Sequence, residues 1–292
     1  MTSPPDESHA DPATPSPGKR REGVGGALIE AARTLEPVSD SPRLDAELLM
    51  AHALGVSREA MILRHLGDPV PVALESLLAR RLAHEPVAYI TGRRAFWTIE
   101  LAVGPGVLIP RPDSETLIEA AIEYFGARAP ARILDLGTGP GTLLLAALAE
   151  WPEAQGLGVD ASEVALDYAR RNAAALGMES RAAFRPGDWG QGLAARFDLI
   201  LANPPYIGTR EDLPEQVRRH EPGAALFAGP EGLDDYRRII PDLRRLLAPG
   251  GAAVLEIGWT QAGPVSAIAR NGGFAVTLYK DLGERPRALL LT

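Results

Sequence analysis

From residue 131 onward the chain alternates short apolar runs with long amphipathic ones, and that alternation admits few architectures. Runs at 132–136, 155–159, 181–185, 197–201, 252–257, 274–279 and 287–291 read as strands. Residues 141–150, 162–176, 233–247 and 263–271 read as helices. Seven strands joined mostly by long crossovers predict a largely parallel sheet covered by helices. Residues 280–286 are too few for a crossover helix, so the last two strands are expected to pair antiparallel. The expected class is α/β, with a seven-stranded, mostly parallel sheet.

One strand ends in an unusual way. Phe197-Asp198-Leu199-Ile200-Leu201 runs into Asn203-Pro204-Pro205-Tyr206, and two prolines forbid its continuation. Each proline fixes its own φ and lacks an N–H, and Pro205 pushes Pro204 out of the α region. A stiff corner is therefore expected at a strand's carboxyl end, where open α/β sheets place their chemistry. It offers an amide side chain, free carbonyls and a phenol ring, a set suited to gripping a planar hydrogen-bonding group.

A second corner follows the first strand of this region, Asp135-Leu136-Gly137-Thr138-Gly139-Pro140-Gly141. Its glycines permit a tight turn and close approach of a ligand. The spacing is G-x-G-x-G with Thr142 next, not the G-x-G-x-x-G of dinucleotide folds. Asp135 would repel a pyrophosphate but welcome a cationic cofactor end. S-adenosylmethionine fits, with an ammonium, a sulfonium and a carboxylate for the helix amino terminus. Asp160 ends the next strand and can accept ribose hydroxyls, a feature shared with NAD folds. After the third strand, Asp188 can bond an adenine amino group and Trp189 can lie against the ring. The alternatives are a turn cap for Asp188 and sheet-edge packing for Trp189.

Ahead of this region the chain changes character. Residues 1–19, rich in Pro and Ser, read as a disordered tail. Residues 20–87 read as a small helical domain: a stripe at Leu28, Ile29, Ala32 and Leu35, a helix opening at Pro42, one over 58–63 capped by Ser57, and one over 72–82. Its separated histidines, His52, His65 and His84, suggest no ligand set. Residues 88–112 read as a linker with a hairpin, its strands at 95–99 and 107–109 and its turn at Gly104-Pro105-Gly106. Residues 113–292 form the larger domain, opening on a helix from Thr116 that Asp113 or Ser114 can cap. Arg111 is either a surface charge or an arginine holding a loop over a site.

The chain has 292 residues and no cysteine, which excludes disulfide and thiol chemistry, and with five histidines argues against structural zinc. No run of 18 apolar residues suggests a membrane span, and residues 1–20 lack the apolar core of a secretory signal. The default expectation is a cytoplasmic protein. A net charge of -8 argues against a broad surface for long nucleic acids.

Together these residues resemble the release-factor glutamine N5-methyltransferases, within the class I S-adenosylmethionine-dependent superfamily. The glycine loop is similar to that superfamily's motif I, with Pro140 a small departure. Asn203-Pro204-Pro205-Tyr206 is shared with enzymes that methylate amino groups of adenine or guanine. Narrower signals are Glu85-Pro86-Val87-Ala88-Tyr89-Ile90-Thr91-Gly92, Phe96-Trp97 and Ile109-Pro110-Arg111-Pro112-Asp113-Ser114-Glu115, behind a helical amino-terminal domain. The resemblance implies methyl transfer to the glutamine of a Gly-Gly-Gln loop in release factors; a monomer with no metal site is the default expectation. It implies cofactor contacts from Asp135, Gly137, Thr138, Gly139, Pro140, Gly141, Asp160, Asp188, Trp189 and Asn203. It implies substrate contacts from Asn203, Pro204, Pro205, Tyr206 and Arg111, with the helical domain docking the release factor. The rival readings are a DNA or RNA base methyltransferase, a nucleotide-dependent dehydrogenase and a non-catalytic module.

Overall fold

The computed structural model describes residues 23–292. The tail expected over residues 1–19 lies outside them. Two compact units divide after Leu82.

The first unit is helical: α1 (Val24–Leu35), α2 (Pro42–Leu54), α3 (Arg58–Arg64) and α4 (Ala73–Leu82). Val24, Leu28, Ala31 and Leu35 recur at helical spacing and are buried, as are Leu49 and Met50 of α2. Pro42 opens α2 without losing a needed N–H, and Gly55 closes it at φ 69. The Ser57 hydroxyl caps α3 by accepting the Ala60 N–H at 3.1 Å. The buried Arg81 donates to Asp45 at 2.8 Å and to the Val38 carbonyl at 2.8 Å, fastening α4 to α2 and to the turn before it.

The second unit opens with α5 (Val87–Thr91) and the hairpin β1 (Arg93–Phe96) and β2 (Ile99–Ala102). The hairpin differs from the sequence expectation. It turns at Trp97-Thr98, with Phe96 opposite Ile99, and residues 107–109 form no strand. Trp97 takes φ 54 there, and its N–H donates to the Glu115 carboxylate at 2.8 Å. A bulky residue in the left-handed region gives no turn signal in sequence.

Next come α6 (Glu115–Phe125), β3 (Arg132–Leu136), α7 (Thr142–Glu150), β4 (Gln155–Asp160), α8 (Glu163–Ala175), β5 (Ala182–Pro186) and β6 (Phe197–Ala202). They are followed by α9 (Glu215–His220), α10 (Asp234–Leu246), β7 (Leu247–Glu256), α11 (Ala262–Asn271), β8 (Val276–Lys280) and β9 (Pro286–Leu291). The strand order is β5-β4-β3-β6-β7-β9-β8. The first five of these neighbours run parallel; β9 lies between β7 and β8 and is antiparallel to both.

Both faces of the sheet are covered, which is why the central strands are continuously apolar. Leu199 and Leu201 point to a core shared with α6 and α7, and Ile200 and Ala202 to one shared with α10 and α11. Each fully buried Leu or Ile contributes roughly 1.5–3 kcal/mol. The chain builds β3, β4 and β5 outward, then returns to set β6 on the other flank of β3. The carboxyl ends of β3 and β6 therefore form the topological switch point, where an open α/β sheet leaves a crevice.

Candidate active site

The two corners singled out in the sequence leave these neighbouring strand ends. Leu136 of β3 pairs with Ala202 of β6 on one side and with Val159 of β4 on the other. The glycine loop, Asp160 and Asn203 thus meet at one edge of the sheet, on the wall of a cavity of about 550 Å³. That volume falls within the range of small-ligand sites.

The glycine loop is held open by its backbone. Gly137, Gly139 and Gly141 have φ of 74, 56 and 89. A Cβ on Gly137 would stand 2.9 Å from Cζ3 of Trp189, whereas no described residue beyond the loop neighbours lies within 4 Å of that position on Gly139. Gly139 is thus required for its left-handed backbone and for what may approach it from the cavity, not for internal space. Pro140 is anchored by its carbonyl, which accepts from Asn172 Nδ2 at 2.8 Å.

Asp135 is fully buried beneath the loop. One oxygen accepts from the Thr138 hydroxyl at 2.7 Å and the Leu144 N–H at 3.2 Å. The other oxygen, Oδ1, has no partner among the described residues. Burial pushes its carboxyl up to about 7; the two donors oppose this and the nearby Asp160 charge adds to it. An orphaned buried carboxylate oxygen on the cavity wall is a natural mate for an ammonium group. Asp160 has a task beyond the expected one. Its carboxylate accepts from Gly139 N–H at 2.8 Å and Ser162 N–H at 2.8 Å, so it ties the glycine loop to the start of α8. Each oxygen keeps a lone pair for a further donor. Donor-poor, carboxylate-lined and glycine-floored, this half of the cavity suits S-adenosylmethionine.

Asp188 and Trp189 also line the cavity, but not as isolated groups. Arg238 clasps both Asp188 oxygens at 2.5 and 2.6 Å, and Gln191 adds a bond at 2.8 Å. Any adenine contact must share this carboxylate with Arg238. Trp189 sits at φ 51, and its indole N–H donates to Asp235 at 3.2 Å. The ring lines the cavity and packs against the core under α10.

Asn203 and Pro205 line the cavity, whereas the side chains of Pro204 and Tyr206 do not. Asn203 Nδ2 points at the Ser114 hydroxyl, 3.4 Å away. Its Oδ1 and the Pro204 carbonyl accept nothing among the described residues. Tyr206 donates to Glu256 at 3.2 Å, and its carbonyl accepts from Gln261 at 2.8 Å. Burial pushes the Tyr206 phenol well above its ordinary value, with the Glu256 charge adding to the effect, so it stays a donor.

Ser114 and Asp113 correct the expectation of a helix cap. Residues 112–114 form a 3-10 turn before α6, and neither side chain caps it. Asp113 instead meets Arg287 at 3.0 Å. Arg111 is ion-paired with Glu221, whose other oxygen accepts the Ile109 N–H at 3.0 Å. The segment before α6 is thereby strapped to the one after α9, and both border the cavity. Glu221, Arg238, Asp235 and Ser114 gave no local signal, since their partners are distant in sequence. Glu256, which the family resemblance also marks, ends the strand β7.

Comparison with known proteins agrees with this geometry. A family model described as "PrmC N-terminal domain" matches residues 26–92, and one described as "Methyltransferase domain" matches residues 128–269. A release factor glutamine methyltransferase of Caulobacter vibrioides is 44% identical, covering 86% of this chain and 89% of its own. One from Rhodospirillum rubrum is 45% identical, covering 86% and 79%. A crystal structure of a methyltransferase from Pyrococcus furiosus superposes with a TM-score of 0.52 at 17% identity, over 74% of this chain and 98% of that one, which speaks for the fold.

Proposed function

Because this chain belongs to the release factor glutamine methyltransferase family, we propose that it transfers a methyl group from S-adenosylmethionine to the glutamine side-chain nitrogen of a Gly-Gly-Gln loop, with Asn203 as the group that presents the amide. The single observation that carries the role of Asn203 is its Oδ1. This acceptor is unsatisfied on the cavity wall and one strand away from the orphaned Asp135 oxygen.

S-adenosylmethionine, when bound, supplies a methyl group on a positively charged sulfur. The glycine loop and the Asp135 and Asp160 carboxylates hold it, while Asp188 and Trp189 border the adenine end. An amide nitrogen is a poor nucleophile because its lone pair is delocalised into the carbonyl. Asn203 Oδ1 accepts one amide N–H and the Pro204 carbonyl the other, turning the nitrogen toward the methyl. As positive charge grows on nitrogen, both acceptors bind more tightly, each contributing roughly 1.5–3 kcal/mol. Alignment can supply more, up to about 7–11 kcal/mol. Tyr206 closes the corner from behind, and the departing amide proton passes to water. Pro205 and Arg111 shape the entrance, Arg111 through its hold on Glu221.

The same proposal takes release factors as the partners, with the helical unit as a docking element, a monomer as the working form and the cytoplasm as its place. The net charge of -8 supports a protein substrate over a nucleic acid. Calorimetry beside a turnover assay tests the clamp. Asn203→Ala is expected to lose methyl transfer and keep cofactor affinity, and near-normal turnover would remove the assignment.

A further inference from the structure

The corner that carries Asn203 and Pro204 has little of its own to hold it. Neither proline has an N–H. Among the described residues the backbone of 204–206 makes one hydrogen bond, in which Gln261 Nε2 donates to the Tyr206 carbonyl at 2.8 Å. Gln261 is buried at the start of α11, yet its side chain makes no bond that caps the helix. It turns instead to the back of the corner. Nε2 also donates to the Gly232 carbonyl at 3.2 Å and the Glu231 carbonyl at 3.3 Å, and Oε1 accepts the Gly258 N–H at 3.0 Å. A carboxamide suits this set, with an acceptor for the N–H and a pair of donors shared among the carbonyls.

Two glycines complete the fit. A Cβ on Gly232 would stand 2.0 Å from the Tyr206 carbonyl oxygen. A Cβ on Gly258 would stand 2.8 Å from Gln261 Oε1 and 3.4 Å from Cδ2 of Tyr206. Resting on the clamp assigned to Asn203 and Pro204, we propose that Gln261 is a positioning residue for methyl transfer. With Gly232 and Gly258 packed around it, it braces the Tyr206 carbonyl and so fixes the aim of the two acceptors that grip the substrate amide.

The remaining freedom of the corner lies where Gln261 acts. Upstream, Ala202 is paired in the sheet with Leu136 and Leu255. Downstream, the Ile207 N–H donates to the Leu226 carbonyl at 2.9 Å, and the Ile207 carbonyl accepts from Ala228 at 3.0 Å. Between the Pro204 and Tyr206 carbonyls, planar peptide bonds and the Pro205 ring leave only Pro205 ψ and the two Tyr206 dihedrals to turn. Holding the Tyr206 carbonyl restricts those rotations, and the Pro204 carbonyl keeps its direction relative to Asn203 Oδ1. Gln261, Gly232 and Gly258 are not on the cavity wall, so the brace touches neither cofactor nor substrate. Its effect belongs to alignment in the transition state and shows in kcat rather than in binding.

The test is Gln261→Met, which keeps the length and bulk of the side chain and removes its polar atoms. With a Gly-Gly-Gln peptide, kcat is expected to fall between about tenfold and a hundredfold. KM for the peptide and the dissociation constant of S-adenosylmethionine should stay within about threefold of wild type. Gln261→Glu keeps an acceptor for Gly258 but loses the donors, and should show the same split. Gly232→Ala drives a methyl group against the same carbonyl and should reproduce it. Leu148→Ala, a cavity at the end of α7 away from the glycine loop, is the stability control: it should lower the denaturant midpoint and leave kcat unchanged. Wild-type kcat in Gln261→Met, with Asn203→Ala inactive, overturns the brace and leaves the clamp standing. A kcat loss in Leu148→Ala as large as that in Gln261→Met also overturns it, since the loss is then one of general stability. An active Asn203→Ala overturns the clamp itself.

Discussion

Replacing Asp160 by alanine should damage this protein in two measurable ways. The carboxylate holds the Gly139 and Ser162 N–H groups at 2.8 Å each. Hydrogen bonds to a charged group are worth roughly 1.5–3 kcal/mol apiece, and partial exposure at this site cuts that by about half. Asp160→Ala should therefore lose about 1.5–3 kcal/mol of unfolding free energy, read as a lower denaturant midpoint at unchanged slope. If ribose hydroxyls donate to the remaining lone pairs, the complex loses two further bonds. A loss of about 3 kcal/mol corresponds to a dissociation constant weakened by about a hundredfold or more. Isothermal titration with S-adenosylmethionine, well below the unfolding temperature, separates the two effects. Asp160→Asn keeps one acceptor oxygen and should fall between. A variant that loses stability yet binds within about threefold of wild type would show that Asp160 only latches the loop.

Three further outcomes are expected. Asn203→Ala should bind S-adenosylmethionine normally by calorimetry and turn over far more slowly. Asp135 should make the ligand-free protein less stable as pH rises from about 4 to its folded value near 7. The sign follows because the unfolded carboxyl ionises first and the folded one keeps its proton, so Asp135→Asn should gain on wild type in urea midpoint across that window. In the helical unit, Leu63 and Val72 are exposed at 79% and 95%. Leu63→Glu and Val72→Glu should raise KM for whole release factor and spare KM for a Gly-Gly-Gln peptide, and equal effects on both would reject the docking role.

The parts of the site visible in sequence are those whose signal is local. Asn203-Pro204-Pro205-Tyr206 announces itself because no strand can continue through two prolines, and the glycine loop because its φ values exclude most side chains. The acids Asp135 and Asp160 are legible because a carboxylate at the end of a buried strand needs partners that the strand itself does not supply. The mostly parallel sheet and its antiparallel last pair followed from connection lengths, whereas the strand order emerges only in the fold. What stayed hidden depends on pairing across the fold. Ser114 reads as a helix cap until Asn203, 89 residues away, is seen beside it. Arg111 reads as a loop charge until Glu221, 110 residues away, closes on it. Asp188 looks free until Arg238 occupies it. Short helices such as α5 and α9 carry too few residues for a periodic signal.

The most direct measurement is mass spectrometry of a release factor after incubation with the protein and S-adenosylmethionine. The account predicts a gain of one methylene mass on the glutamine of the Gly-Gly-Gln loop. Methylation at a different residue, or label found in nucleic acid with the release factor unmodified, would contradict it.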